Sequence, residues 1–482
     1  MRYLFAATAL AAGTIATTAT PVVAQSSAVR AISASDKAQG AQANPQLLAE
    51  FGGAYDGPQA AYVEQVGKRV AVQSGLSNAQ GDFTVTLLNS PVENAFAIPG
   101  GYVYVTRQLM ALMNSEAELA SVMGHEVGHV AARHSAGRNR TASIGGLLAG
   151  VVGAVAGNGA LGQLVGRGAQ QAASLYTLKY GRDQEYAADG LGVKYITAAG
   201  YDPYAAADML AQLNDETTLQ ARVAGRDANA VPTWASTHPN GVDRIRRARA
   251  LAQATGRTEP PAQQDTAFLR RLDGLRYDDD PAQGVIDGQT FRHPALRIRF
   301  TAPAGYQINN GTDAVTVSGS SGQAQFRTAA ATNDLPGFIA QRFSSLGASA
   351  SGEVRTGRTN GINYAWSTVG ASANGRAVDA TIVAYAFPSA TYDFTLVTLR
   401  GSGIGAFAPL VESLAPLSAT EAAAIKGKRI RIATVKAGDT VDSLARQMAY
   451  PNYQRERFLT LNGLGDDARL TPGMLVKLVV AG

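Results

Sequence analysis

The chain has no cysteine. Disulfides, thiolate nucleophiles and thiolate metal ligands are therefore excluded, and any bound metal must be held by His, Asp or Glu. Histidine is scarce too, with five in 482 residues. The net charge of +5 is spread along the chain with no basic block. Nothing tracks a phosphate backbone, so no nucleic acid is expected as a partner. Past the N-terminus there is also no run long and apolar enough to span a bilayer. Residues 144–166 carry no charge, but their many glycines, with Asn158 and Gln163, suit a loosely packed hairpin over the active site. At most a peripheral membrane contact is expected.

What remains is a globular composition, 46% hydrophobic, with length for two to four domains. The first residues read as an export signal. Arg2 precedes the apolar stretch Leu4 to Thr20, and Pro21-Val22-Val23-Ala24 supplies small residues for cleavage after Ala24. A cleaved signal implies a soluble periplasmic protein, and without cysteine no lipid joins the new terminus.

Phe83 to Leu88 alternates like a strand, and Tyr102-Val-Tyr-Val follows a Pro99-Gly100-Gly101 turn. Asn94 to Ile98 reads as a loop or edge strand. Ser115-Glu-Ala-Glu118 then opens a helix whose apolar residues recur at helical spacing, with an end expected near Gly137. A second helix is expected from Asp183 to Ala199, before Gly200. Residues 258–264 look like a linker. Beyond it, "AVDATIVAYAF" and "YDFTLVTL" belong to an antiparallel sheet with a helix over Pro336 to Leu346. Asp278-Asp279-Asp280 lacks the alternation of a calcium loop and reads as a solvated turn.

The chemistry sits in Gly124-His125-Glu126-Val127-Gly128-His129. His125 and His129 are four apart, so they leave one helix face a turn apart and can take two corners of a zinc tetrahedron. Glu126 can then accept a proton from water at the metal. Two idle histidines on a surface helix would require a chance match, on the order of one in a thousand for this composition. A catalytic zinc needs a third ligand. His134 is five residues past His129 and is expected on another face. In Arg182-Asp-Gln-Glu185-Tyr-Ala-Ala-Asp189 two carboxylates are again four apart. One can bind metal while the other holds a ligand histidine by its second N–H.

These motifs, with Thr237-His238-Pro239, Arg244-Ile245 and Asn94-Ala-Phe-Ala-Ile-Pro-Gly-Gly101, resemble zinc metallopeptidases of the HtpX and CAAX-prenyl-protease type, in the organisation of their exported, BepA-like members. The likeness covers roughly residues 40 to 255. It implies one Zn2+ per chain held by His125, His129 and Glu185, with Asp189 orienting a ligand. It also implies that the strand at Tyr102–Val105, or its partner carrying Asn94, Ala95, Phe96 and Ala97, lies along the substrate cleft. The membrane spans and the helical-repeat tail of family members are missing, so no chaperone role carries over. His238 or Arg244 is a candidate for oxyanion stabilisation. His238, next to Pro239, is alternatively a gate that takes the fourth metal position.

The last segment is similar to a LysM module, through Gly438-Asp439-Thr440, a helix from Val441 to Met448, Leu461-Asn-Gly-Leu464 and Pro472-Gly473. That likeness implies binding of peptidoglycan through residues 432–480. Deleting the segment is then expected to spare proteolysis. The expected fold is α+β multidomain: signal 1–24, a mostly helical gluzincin-type peptidase domain 30–257 with a small edge-strand sheet, an antiparallel α+β domain 265–425, and a βααβ module 432–480. The expected function is zinc-dependent endopeptidase action on unfolded or misassembled envelope proteins. A peptidoglycan cross-link hydrolase and a non-enzymatic assembly factor with a gated zinc site are the alternatives.

Overall fold

A computed structural model describes residues 32–134, 180–223, 238, 241–260, 263–311, 314–347, 352–373 and 376–482. The expected signal, the 144–166 hairpin and the neighbours of His238 lie outside the described residues. No described helix is long and apolar enough to cross a membrane.

Helices α1 (Ala34–Glu50) and α2 (Gln59–Ala71) precede a small sheet of β1 (Thr84–Leu88), β2 (Ala95–Ile98) and β3 (Tyr102–Thr106). The order is β1-β3-β2, with β1 parallel and β2 antiparallel to β3. Thus β3 is central and β1 and β2 are the two end strands. Gly100 and Gly101 both take positive φ in the turn between β2 and β3, and a side chain there would meet the Asp36 or Asp82 carbonyl. Helix α3 (Arg107–Leu112) leads to α4 (Glu116–Ala131), which starts where Ser115 accepts the Glu118 N–H at 3.1 Å. Then come α5 (Arg182–Ala198), α6 (Ala205–Val223) and α7 (Val242–Ala254). Every residue of α4 from Leu119 to His129 is buried, so the metal motif lies in the core, not on a surface helix.

Helix α8 (Thr266–Arg271) and β4 (Arg276–Tyr277) follow. Phe268, Leu269, Leu272 and Leu275 pack into the same core as Val63, Leu109 and Leu119, so the core of the first domain, expected to end at 257, extends past residue 265. Next come β5 (Val285–Asp287), β6 (Thr290–His293), β7 (Ile298–Thr301), β8 (Gln307–Asn310), β9 (Val315–Gly319), β10 (Gly322–Ala329) and helix α9 (Leu335–Ser345). They are followed by β11 (Arg355–Thr359), β12 (Ile362–Ala373), β13 (Arg376–Ala386), β14 (Thr391–Leu399), α10 (Ala408–Ser413), β15 (Ala415–Pro416) and α11 (Ala419–Ala424). The strands form two antiparallel sheets, ordered β11-β12-β13-β14-β10-β9-β8 and β15-β7-β6-β5. Alternation along β13 serves two cores. Ala380, Ile382 and Ala384 meet Leu335, Ile339 and Phe343 of α9, while Val383 and Tyr385 face Phe300, Phe326 and Phe394.

The chain then returns as β16 (Lys428–Thr434), α12 (Val441–Ala445), α13 (Gln454–Leu461) and β17 (Leu475–Ala481). The strand–helix–helix–strand order is present, beginning at Lys428. Its separateness is not. Strand β16 pairs antiparallel with β17 on one side and with β4 on the other, where Tyr277 faces Lys428 and Arg276 faces Arg429. Ile430, Phe458, Val476 and Leu478 join the core that holds Leu109 and Leu119. The two-sheet domain is therefore an insertion inside a β4–β16 hairpin.

One side chain ties this closure. Lys477 of β17 is fully buried, and its Nζ donates to the Ala111, Leu112 and Met113 carbonyls at 2.9, 2.9 and 2.7 Å. These are the orphan carbonyls at the end of α3. Burial pushes the Lys477 amine down to about 7, against the opposing charge of Glu118. The Asp278–Asp280 turn is likewise stitched down, not solvated. Asp278, at positive φ, accepts from Lys428 Nζ and Tyr450 Oη, both at 2.8 Å. Asp279 accepts the Ile286 N–H at 2.7 Å, and Asp280 accepts from Asn89 at 2.8 Å.

Candidate metal centre and active site

Helices α4 and α5 come unusually close, and glycine makes that possible. A Cβ at Gly124 would lie 3.1 Å from the Gly192 carbonyl, and one at Gly128 3.1 Å from that of Ala188. These spacings leave no room for a larger residue without displacing backbone. The close approach carries Glu185 and Asp189 of α5 onto the two histidines of α4.

His125 Nδ1 lies 2.9 Å from Asp189 Oδ1 and donates to it. This fixes the tautomer and turns the lone pair of Nε2 inward. His129 Nε2 faces His125 Nε2 at 3.0 Å, while His129 Nδ1 shares a hydrogen bond with His134 Nδ1 at 2.9 Å. Glu185, wholly buried, brings its oxygens to 3.4 Å from His125 Nε2 and 3.5 Å from His129 Nε2. His238 completes the cluster, with Nδ1 3.2 Å from Glu185 Oε1 and 3.4 Å from His125 Nε2. One donor atom from each of these four residues falls within 4.8 Å of the others.

The arrangement fits zinc. With both Nδ1 atoms engaged outward, two imidazole Nε2 atoms and a carboxylate converge on one point. Two nitrogens with one carboxylate oxygen are a donor set of catalytic zinc. Burial opposes the charge on Glu185, but the surrounding His238 and His125 hold its carboxyl far below the usual carboxylate range. Asp189 is likewise lowered despite burial, chiefly by Arg244, which grips it through Nε and Nη2 at 2.8 and 2.7 Å. Arg244 Nη1 also reaches Glu185 at 2.8 Å. The guanidinium expected at an oxyanion is thus engaged with the two carboxylates.

Glu126 differs from its neighbours. It is buried, and its Oε1 has no hydrogen-bond partner, the closest basic nitrogen being His238 Nε2 at 3.6 Å. Burial raises its pKa, partly offset by the charges of His238 and His125.

Two contacts escaped sequence reasoning. Helix α4 ends at Ala131, not near Gly137, and Arg133 takes positive φ. The chain folds back so that the His134 N–H reaches the His129 carbonyl at 3.0 Å and its ring meets that of His129. The five-residue spacing misled because the helix had already stopped. Tyr180 stacks on His129 at 3.7 Å between centroids and 18° between planes, a contact no local pattern announces. The glycines at positions 124, 128 and 192 were the available signal for the close helix pair. Asn94 precedes β2 and is buried with both amide atoms unpartnered.

Residues 58–252 match Peptidase family M48. The chain is also 32% identical over 199 residues to a "Putative beta-barrel assembly-enhancing protease" of Vibrio cholerae, covering 40% of this chain and 39% of that protein. It is 32% identical over 202 residues to the "Beta-barrel assembly-enhancing protease" of Escherichia coli K12, with 40% and 38% covered. It is 32% identical over 171 residues to "Mitochondrial metalloendopeptidase OMA1" of Arabidopsis thaliana, with 35% and 31% covered. The chain thus spans less than two fifths of the length of each of these three relatives. The matched family and the buried donor set together support a zinc metalloprotease with one such metal site among the described residues.

Proposed function

We propose that the protein is an exported zinc endopeptidase that cleaves unfolded or misassembled envelope proteins, with His125, His129 and Glu185 as the ligands. The observation that carries the reading is a buried Glu126, whose Oε1 has no hydrogen-bond partner, beside the converging His125, His129 and Glu185. Zinc, when bound, polarises the scissile carbonyl and acidifies water. Glu126 takes the proton from the attacking water and returns it to the leaving amine, and its raised pKa suits both transfers. Asp189 orients His125, His134 orients His129, and Arg244 holds Asp189 and Glu185, which makes it a positioning residue. The end strand β2 offers its main chain to an extended substrate, with the Asn94 amide at its start. The names of the bacterial relatives support the envelope setting.

The test is casein and purified sacculi, each with and without chelator, on wild type and Glu126→Gln. Chelator-sensitive casein cleavage is expected, with near-normal zinc content and almost no activity in the variant. Full activity of Glu126→Gln would end this mechanism. Cleavage of sacculi alone would favour the cross-link hydrolase, and binding without cleavage the assembly factor.

The seat of His238 among the ligand atoms supports the gate over the oxyanion role. On this reading His238→Ala cleaves unfolded protein faster than wild type. A loss of order a hundredfold at unchanged zinc, the effect of removing an oxyanion donor, overturns the gate.

A further inference from the structure

A cavity of about 540 Å³ lies where the inserted domain meets the peptidase core, and none of the chemistry above uses it. One wall is the β8–β9 ribbon. Gln307 pairs with Ser318 and Asn309 with Thr316, so these four lining side chains stand on one face of the sheet. Across from them are Asp278, Asp279 and Lys428, with Val285 and Ile286 alongside and Pro91 and Val92 on the catalytic side. Lys428 neutralises Asp278 at 2.8 Å, which leaves the Asp279 carboxyl, held by the Ile286 N–H, as the one acidic group on the wall without an ion pair. Among the described residues that line it, none is aromatic.

We propose that this cavity is a second subsite for substrate, and that it holds the main chain of an extended polypeptide several residues from the cut bond. The proposal rests on the endopeptidase reading above and adds where the rest of the substrate goes. Three observations carry it. Strand β8 ends the seven-stranded sheet and lines the cavity, so one strand edge is presented there, whereas the Ile286 N–H of the end strand β5 is already taken by Asp279. The four side chains on the shared face of the ribbon, Gln307, Asn309, Thr316 and Ser318, are amides and hydroxyls, which both donate and accept and so suit peptide groups of any sequence. Pro91 and Val92 run directly into β2, so Val92 is about 10 Å of extended chain from Ala95. A substrate laid along β2 needs only a few more residues to enter the cavity.

The alignment is fixed. Arg107, the residue after β3, is fully buried and donates to Asn89 Oδ1 at 2.8 Å and to the Arg276 and Asp278 carbonyls at 3.3 and 2.5 Å. It ties the cavity wall to the catalytic sheet. A glycan is the less suitable occupant, since sugar rings are gripped by stacking on aromatic faces.

The experiment uses full-length Glu126→Gln and two labelled casein-derived peptides, one of about 6 residues, which fits the catalytic strand alone, and one of about 16, which reaches both places. Binding is read by fluorescence anisotropy, with zinc content and melting temperature checked for each protein. Asn309→Trp, which fills the cavity from an exposed position, is expected to weaken the long peptide about tenfold and leave the short one unchanged. Ser318→Trp on the neighbouring strand repeats the test should the first variant fold poorly. Equal affinity for the long peptide in wild-type and filled cavities overturns the proposal, as does its displacement from the cavity by chitin oligosaccharides. Because binding is read without turnover, failure of casein cleavage in the wild type would count against the endopeptidase reading and not against the cavity.

Discussion

Two regions follow the peptidase segment, and they are joined to it in opposite ways. The inserted domain between Asp278 and Gly427 has two hydrophobic clusters of its own and meets the peptidase core through a stitched turn. The segment from Lys428 onward has no separate core, because Ile430, Phe458 and Leu478 sit in the cluster that holds Leu109 and Leu119. Position along the chain therefore says little about dependence. The nearer region is the guest, and the farther one completes the host.

Paired excisions break or sharpen this contrast most strongly. Removing residues 428–482 exposes the apolar face of the peptidase core and frees the α3 carbonyls. The product is expected to be insoluble or zinc-free, without casein cleavage, which reverses the expectation drawn from the LysM likeness. Replacing residues 278–427 by Asn-Gly is expected to do far less. Tyr277 and Lys428 already face each other, so a two-residue turn closes the hairpin. Zinc content and cleavage of short peptides should stay within about twofold, since burial of the shared core is unchanged. An unfolded product from this second excision would show that the insertion is part of the host.

A single substitution probes the same seam at smaller scale. Lys477→Met keeps the length of the side chain but leaves the Ala111 and Met113 carbonyls without a donor and Leu112 with Asn114 Nδ2 alone, at a cost of about 3 kcal/mol. Chemical denaturation measures it. The variant also has a pH signature. Lysine in the unfolded chain titrates near 10.5 and Lys477 in the fold near 7, so between these values the unfolded chain binds more protons. This contribution to stability is complete above the unfolded value and is lost as pH falls toward 7. The wild-type melting temperature should therefore gain on the Met variant as pH rises from neutral, and a constant difference would contradict the depressed pKa.

Legibility followed the range of the interaction. His125, Glu126, His129, Glu185 and Asp189 could be picked out because helical spacing of four is a local signature. Strands β1 and β3 and helices α5 and α9 were readable for the same reason. His134 was misplaced because α4 stops at Ala131 and Arg133 turns the chain back, so helical spacing no longer sets the direction of its ring. The role of Arg244 was invisible, since nothing in "DRIRRAR" says which arginine will turn inward to Asp189. Pairing of β4 with β16 spans the whole insertion, and no periodicity encodes a contact at that separation. One clue was there to be used: a lysine inside "MLVKLVV" sits badly in an apolar strand unless acceptors await it.

The Lys477 seam also bears on timing. A ribosome makes β17 after every other described element. By then the residues of α4 and α5 proposed to hold the metal have long since emerged. Yet α3, which leads into α4, still ends with the Ala111 and Met113 carbonyls lacking a donor, and its apolar neighbours lack the strand that covers them. The fold is thus assembled like an arch whose keystone is cast last, and a chain cut short by stalled synthesis would carry the His125, Glu126 and His129 motif without the packing that encloses it.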